Sequence, residues 1–213
     1  KEPSAPVPVT AYDLPKIKLL KTAKANPTKL SIDNTILTVG RGQMFGNIQD
    51  ALNSFNDDSI TKKYTIIVFP GTYPSFKTNV PTARRRFVDI IGLSRENCIV
   101  KETTGAYANA TQIWLYGTVA NISFIATHDT EGTPTTGTKS YAMHSDYGTN
   151  NLIFRNCYFY SENAPAVGIG TFQDDYIEFD NCKMVNNVDP AYFPYAYLPN
   201  YGAMFIHSAV GGT

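Results

Sequence analysis

The chain has 213 residues, with 18 Lys and Arg against 18 Asp and Glu and hence no net charge at pH 7. That balance argues against a nucleic-acid partner, since such binding rests on neutralising phosphates, and no apolar run is long enough to span a membrane. Hydrophobic residues at 43% suit one ordinary core, while 17% charged is low, as in solenoids that show few charges per coil.

Residues 1–36 contain Pro3, Pro6, Pro8, Pro15 and Pro27 with little periodicity, and read as an extended arm or linker. Over 43–55, Phe45, Ile48, Leu52 and Phe55 fall on one helical stripe. A short amphipathic helix at that place is expected to cap the open end of a core. Residues 64–69 read as an apolar strand stopped by Pro70-Gly71. The run Arg84-Arg85-Arg86 reads as a solvated turn before a second strand, Phe87-Val88-Asp89-Ile90-Ile91-Gly92.

Two later segments repeat one pattern: Asn151-Leu152-Ile153-Phe154-Arg155-Asn156-Cys157-Tyr158-Phe159 and Tyr176-Ile177-Glu178-Phe179-Asp180-Asn181-Cys182-Lys183-Met184. Their cysteines stand 25 residues apart. Such a period marks a solenoid. Asn121-Ile122-Ser123-Phe124 fits the template with Phe124 placed 30 residues before Phe154. Alternation along a strand then predicts one inward column of Ile122, Leu152 and Ile177 and a second of Phe124, Phe154 and Phe179. Asn156 and Asn181 interrupt the apolar run at a bend, where Asn tolerates left-handed backbone angles and its amide can bond its counterpart one coil away. The expected fold is all-β, a right-handed parallel β-helix from about residue 37 onward with an asparagine ladder and the short N-terminal capping helix. Arg155 is expected to pair with Asp180 across rungs. Cys157 and Cys182 are expected to form a reduced apolar ladder.

His128, His144 and His207 lack metal-ligand spacing, so neither metal nor cofactor is expected. Similar Ala-Met contexts before His144 and His207 suggest a ladder role for both. The tail, Tyr201 to Thr213, opens another coil without completing it, and the chain starts at Lys1 rather than Met. The solenoid is therefore expected to be part of a longer polypeptide.

Phe45-Gly46-Asn47-Ile48-Gln49-Asp50-Ala51-Leu52, then Ile66-Ile67-Val68-Phe69-Pro70-Gly71-Thr72-Tyr73, then Ile90-Ile91-Gly92-Leu93-Ser94 and the Asn-Cys rungs together resemble the pectin methylesterase-like branch of the pectin lyase-like β-helices. The resemblance implies the fold but not the reaction. Where those enzymes carry an oxyanion-stabilising Gln, this chain has Pro165-Ala166-Val167-Gly168-Ile169. Their Gln-Asp-Thr after the next Cys is here Lys183-Met184-Val185-Asn186. Tyr141-Ala142-Met143-His144-Ser145-Asp146-Tyr147 with its following Asn-Cys rung is similar to β-helical tail and neck appendages of bacteriophages. That likeness implies a virion protein, such as a tailspike or receptor-binding protein, with host cell-surface polysaccharide as partner. It also implies a homotrimer among other virion proteins; a secreted protein is the alternative.

Candidate catalytic carboxylates are Asp174, Asp175 and Glu178, with Asp146 in the preceding rung, because glycoside cleavage needs two carboxyls about 5 to 9.5 Å apart. The more ordinary role of such acids in a turn is backbone bonding and solvation. Candidate glycan-binding residues are Tyr176, expected to face outward with Glu178, and Tyr192, Tyr195, Tyr197 and Tyr201 in the aromatic insert between coils, since Tyr offers a flat apolar face with a polar tip. Three functions follow as expectations: a glycan-recognising appendage, a polysaccharide-degrading enzyme (glycoside hydrolase or lyase), and a structural shaft.

Overall fold

A computed structural model describes residues 35–78, 86–102, 111–127, 141–145, 150–162, 165–171, 176–187 and 202–208, all within one compact unit, Asp33–Thr213. In chain order, β1 (Ile36–Val39) leads to helix α1 (Ile48–Asn53), and β2 (Tyr64–Val68) and β3 (Gly71–Pro74) make the next coil. There follow three complete three-strand coils: β4 (Val88–Gly92), β5 (Cys98–Glu102) and β6 (Thr111–Gln112); β7 (Gly117–Ala120), β8 (Ser123–Ala126) and β9 (Met143–Ser145); β10 (Asn150–Arg155), β11 (Tyr158–Ser161) and β12 (Val167–Thr171). A last one holds β13 (Tyr176–Asp180), β14 (Lys183–Asn186) and β15 (Met204–Ser208).

Every pairing between these strands is parallel. The first sheet runs β1-β2-β4-β7-β10-β13, the second β3-β5-β8-β11-β14 and the third β6-β9-β12-β15. The chain visits the sheets in turn and returns one rung further along, which is a parallel β-helix. Connections between successive parallel strands of one sheet are right-handed in almost all proteins, the hand expected from the sequence.

Alternation builds the core. In β2 the buried residues are Tyr64, Ile66 and Val68; in β4 they are Val88, Ile90 and Gly92. Leu152 pairs with Ile177 and Phe154 with Phe179, as the 25-residue repeat predicts. The third repeat sits differently. Phe124 is in register with Phe159, not Phe154, and Phe154 lies beside Val119. Ile122 correspondingly precedes β8 as Cys157 precedes β11, so it does not join the Leu152 column. Two aromatic ladders result: Phe154 over Phe179 at 5.0 Å and Phe124 over Phe159 at 5.2 Å, both nearly parallel, meeting edge-on where Phe154 touches Phe159 at 5.3 Å. Matching Asn121 to Asn151 misplaced Phe124, because Asn121 is the counterpart of the bend residues Asn156 and Asn181.

That bend is where the ladder forms. Asn121, Asn156 and Asn181 adopt φ of 55°, 49° and 51°. The Asn156 amide donates to Asn121 Oδ1 at 2.9 Å, and the Asn181 amide to Asn156 Oδ1 at 3.3 Å. Arg95 adds a third bond, to Asn156 Oδ1 at 3.0 Å.

The capping helix is shorter than its hydrophobic stripe. Phe45 belongs to a turn: its amide bonds Thr38 O at 3.0 Å and its carbonyl accepts from Gly40 at 2.9 Å. Asn47 then starts the helix by accepting from the Asp50 amide at 2.8 Å and donating to the Asp50 carboxylate at 2.8 Å, a reciprocal cap. Ile48, Ala51 and Leu52 are buried on the core. Arg86 corrects the reading of its basic run as solvated. Its guanidinium pairs with Asp58 at 3.0 Å, with side chains only 12% and 6% exposed. It also donates to the carbonyls of Leu52 at 3.2 Å and Phe55 at 3.0 Å, and lies 4.4 Å over the Phe55 ring. Carbonyls at a helix end have no intrahelical donor, so Arg86 closes α1 from the following coil. Arg84 and Arg85 lie outside the described residues.

Candidate functional site

The outer face of the first sheet follows from the same alternation. Residues between the buried columns line up across strands: Thr65 beside Asp89, then Thr118, Ile153 and Glu178, with Ile91, Ala120, Arg155 and Asp180 in the next row. Asp89 is held twice, by Lys63 at 2.8 Å and by the Thr118 amide at 2.7 Å. Arg155 meets Asp180 at 3.7 Å, the cross-rung pair expected from the sequence, with both side chains about half exposed. An ion pair this open to solvent contributes little stability.

At the edge of this face Tyr176 is 51% exposed, and its hydroxyl donates to Glu178 Oε2 at 2.6 Å. That bond to a carboxylate raises the Tyr176 pKa above the usual phenol value. The two residues thus face outward together, as expected. Glu178 and Asp180 are two positions apart on one strand, about 7 Å by the rise per residue. Asp174, Asp175 and Asp146, and Tyr192, Tyr195, Tyr197 and Tyr201, lie outside the described residues, as does His128. Among the described residues no cluster of three or more His, Cys, Asp or Glu could hold a metal ion.

His144 is buried against Tyr141, with ring centroids 4.9 Å apart. It pairs in register with Gly168, which lies beside Phe205, whereas His207 lies beside Gly170. The two histidines therefore share a sheet but not a column. The shared Ala-Met context aligns Met143 with Met204 through Val167 and carries His207 two positions too far. A Cβ on Gly168 would sit 2.5 Å from His144 Cδ2 and 2.8 Å from Tyr141 Cε1, so only glycine fits between them.

The cysteines line the second bend position. Cys98, Cys157 and Cys182 are free thiols that donate to carbonyls of the preceding coil, Val68 at 3.2 Å, Val119 at 3.5 Å and Phe154 at 3.5 Å. Burial pushes the Cys157 pKa well up, while a hydrogen bond from Cys157 lowers that of the half-buried Cys182.

The sequence reading missed an outward aromatic pair, Tyr158 and Tyr160 in β11. Their alternation with the inward Phe159 is the sequence signal for them.

No protein-family model matches the chain, and no curated protein matches it. Among solved structures, a pectin methylesterase variant in complex with a hexasaccharide is 15% identical over 71% of this chain, with TM-score 0.42. Pectin methylesterase from carrot is 13% identical over 78%, with TM-score 0.46. This chain spans 50% and 55% of those two proteins' lengths. The fold rests on the strand pairing described above; likenesses of this depth add no residue roles.

Proposed function

We propose that this β-helix is a glycan-recognising segment of a surface appendage, of the kind carried on bacteriophage tails or necks, that binds host cell-surface polysaccharide along its flank. The observation that supports this reading most is Tyr176, half exposed at the edge of the first sheet with its hydroxyl fixed on Glu178. A tyrosine so held offers one ring face for stacking on a sugar and a carboxylate that accepts sugar hydroxyls, at little cost in rotamer entropy. The aromatic insert that contains Tyr192, Tyr195, Tyr197 and Tyr201 extends the proposed surface. One such contact is weak. A homotrimer, or many appendages on one particle, would hold a cell by avidity.

Binding of host cells or their isolated wall glycans is expected to fall when Tyr176, Tyr192, Tyr195 and Tyr197 are changed to Ala, with the β-sheet circular dichroism unchanged. Undiminished binding would remove these residues from the site. Absence of any glycan binding in the wild type would favour a structural shaft.

A polysaccharide-degrading enzyme is the second reading, supported by the spacing of Glu178 and Asp180, which falls in the range for paired carboxylates. Against it, Arg155 engages Asp180, leaving Glu178 without a free partner on the described face. Release of new reducing ends from wall or capsular polysaccharide, abolished in Glu178→Gln, would establish it.

A further inference from the structure

The outer face of the second sheet carries an aromatic strip that owes nothing to Tyr176. In β11, Tyr158 and Tyr160 alternate with the buried Phe159 and Ser161 and so project to the same side. Both are half-buried, with ring centroids 6.3 Å apart and planes 26° from parallel. Neighbouring groups fix their orientation. The Lys183 ammonium lies 5.9 Å over the Tyr158 ring, and the Asn187 amide donates to the Tyr160 hydroxyl at 3.3 Å. In register, Lys183 flanks Tyr158 on one side and Ser123 on the other; Ile125 flanks Tyr160, with Lys101 beyond it.

These two neighbouring rings, 6.3 Å apart with planes 26° from parallel, present an apolar strip with hydroxyls at its rim. A linear chain of sugar rings offers the complementary surface, alternating C–H faces with hydroxyl edges. Lys183 and Lys101 give the strip a positive character that a carboxylate-bearing sugar would complement. We propose that Tyr158 and Tyr160 are a stacking platform for adjacent units of a linear acidic polysaccharide, with Lys183 as its charge partner. This rests on the glycan-binding reading above and adds a separate face and a preference for acidic chains.

The test measures binding of alginate, an acidic chain, and of cellohexaose, a neutral one, to the wild type and three variants by isothermal titration calorimetry. A Tyr158→Leu/Tyr160→Leu double variant keeps side-chain bulk but removes both rings. It is expected to bind alginate at least about tenfold more weakly, the scale of loss when stacking rings are removed, with its thermal unfolding unchanged. Lys183→Gln is expected to bind alginate a few-fold more weakly at low salt and like the wild type at high salt. Unchanged alginate binding in the double leucine variant, together with loss in Tyr176→Ala, overturns the platform and leaves the first-sheet reading standing. Equal wild-type affinity for cellohexaose and alginate overturns the acidic preference. Tighter binding of single-stranded DNA than of either glycan overturns the proposal in favour of a nucleic-acid strip. Binding of neither glycan by the wild type removes both readings.

Discussion

At the scale of single residues, the bend asparagine serves two ends at once. Its backbone takes a left-handed turn that costs most side chains strain, and its amide bonds the same residue one rung away, so the turn is stabilised by the stack it permits. This was legible because Asn broke an otherwise apolar alternation in two matching segments. Arg95 on the ladder was not, since a lone arginine in a turn has no pattern around it. The Tyr176–Glu178 bond gives a testable pH dependence. A raised folded-state pKa means the contribution of this bond is fully present below the ordinary phenol pKa of about 10 and is lost as pH rises through the raised value. An NMR titration that resolves Tyr176 should show its phenol ionising later than an ordinary tyrosine, and Glu178→Gln should return it to the ordinary range. The same late titration persisting in Glu178→Gln would mean that the bond is absent in solution.

At the scale of elements, the cap and its clasp behave as one unit. Helix α1 spans Ile48–Asn53, too short to be stable alone, and is held by burial of its apolar face and by Arg86 reaching from the next coil. Arg86→Ala should destabilise the protein by about 3–5 kcal/mol, because it takes the guanidinium from the buried Asp58 charge and from the carbonyls of Leu52 and Phe55. Arg86→Lys should recover only part, since an ammonium lacks the planar fork. Chemical denaturation measures both, and a loss under 1 kcal/mol for the alanine would mean that Asp58 is not buried in solution. The helix was legible from spacing; its true start was not, because Phe45 satisfies the helical period while its backbone is committed to Thr38 and Gly40. Arg86 was misread for a similar reason, as a run of three arginines looks solvated until one member finds a buried acid.

At the scale of the whole molecule, stability is a sum over neighbouring coils. Phe154 lies between Val119 and Phe179 and touches Phe159, so it ties the first sheet to the second. Phe154→Ala should cost about 3–5 kcal/mol and loosen the adjoining coils, which hydrogen exchange would show as lost protection in β7 and β13 before β2. Protection lost evenly over the whole chain would contradict stepwise coupling. The solenoid itself was plain in the sequence. The glycan candidates were less so, because outward residues obey no packing rule and leave only an alternation.

The asparagine ladder has a further consequence for how such a chain can change. Asn121 and Asn156 are 35 residues apart while Asn156 and Asn181 are 25 apart, yet the two pairs share the same backbone turn and the same bond. Rung registry is thus indifferent to contour length, and much of the surplus falls in sequence between β8 and β9. Lineages can lengthen, trim or exchange these connecting stretches without renegotiating the core. A scaffold of that kind can follow a moving target while its architecture stays put.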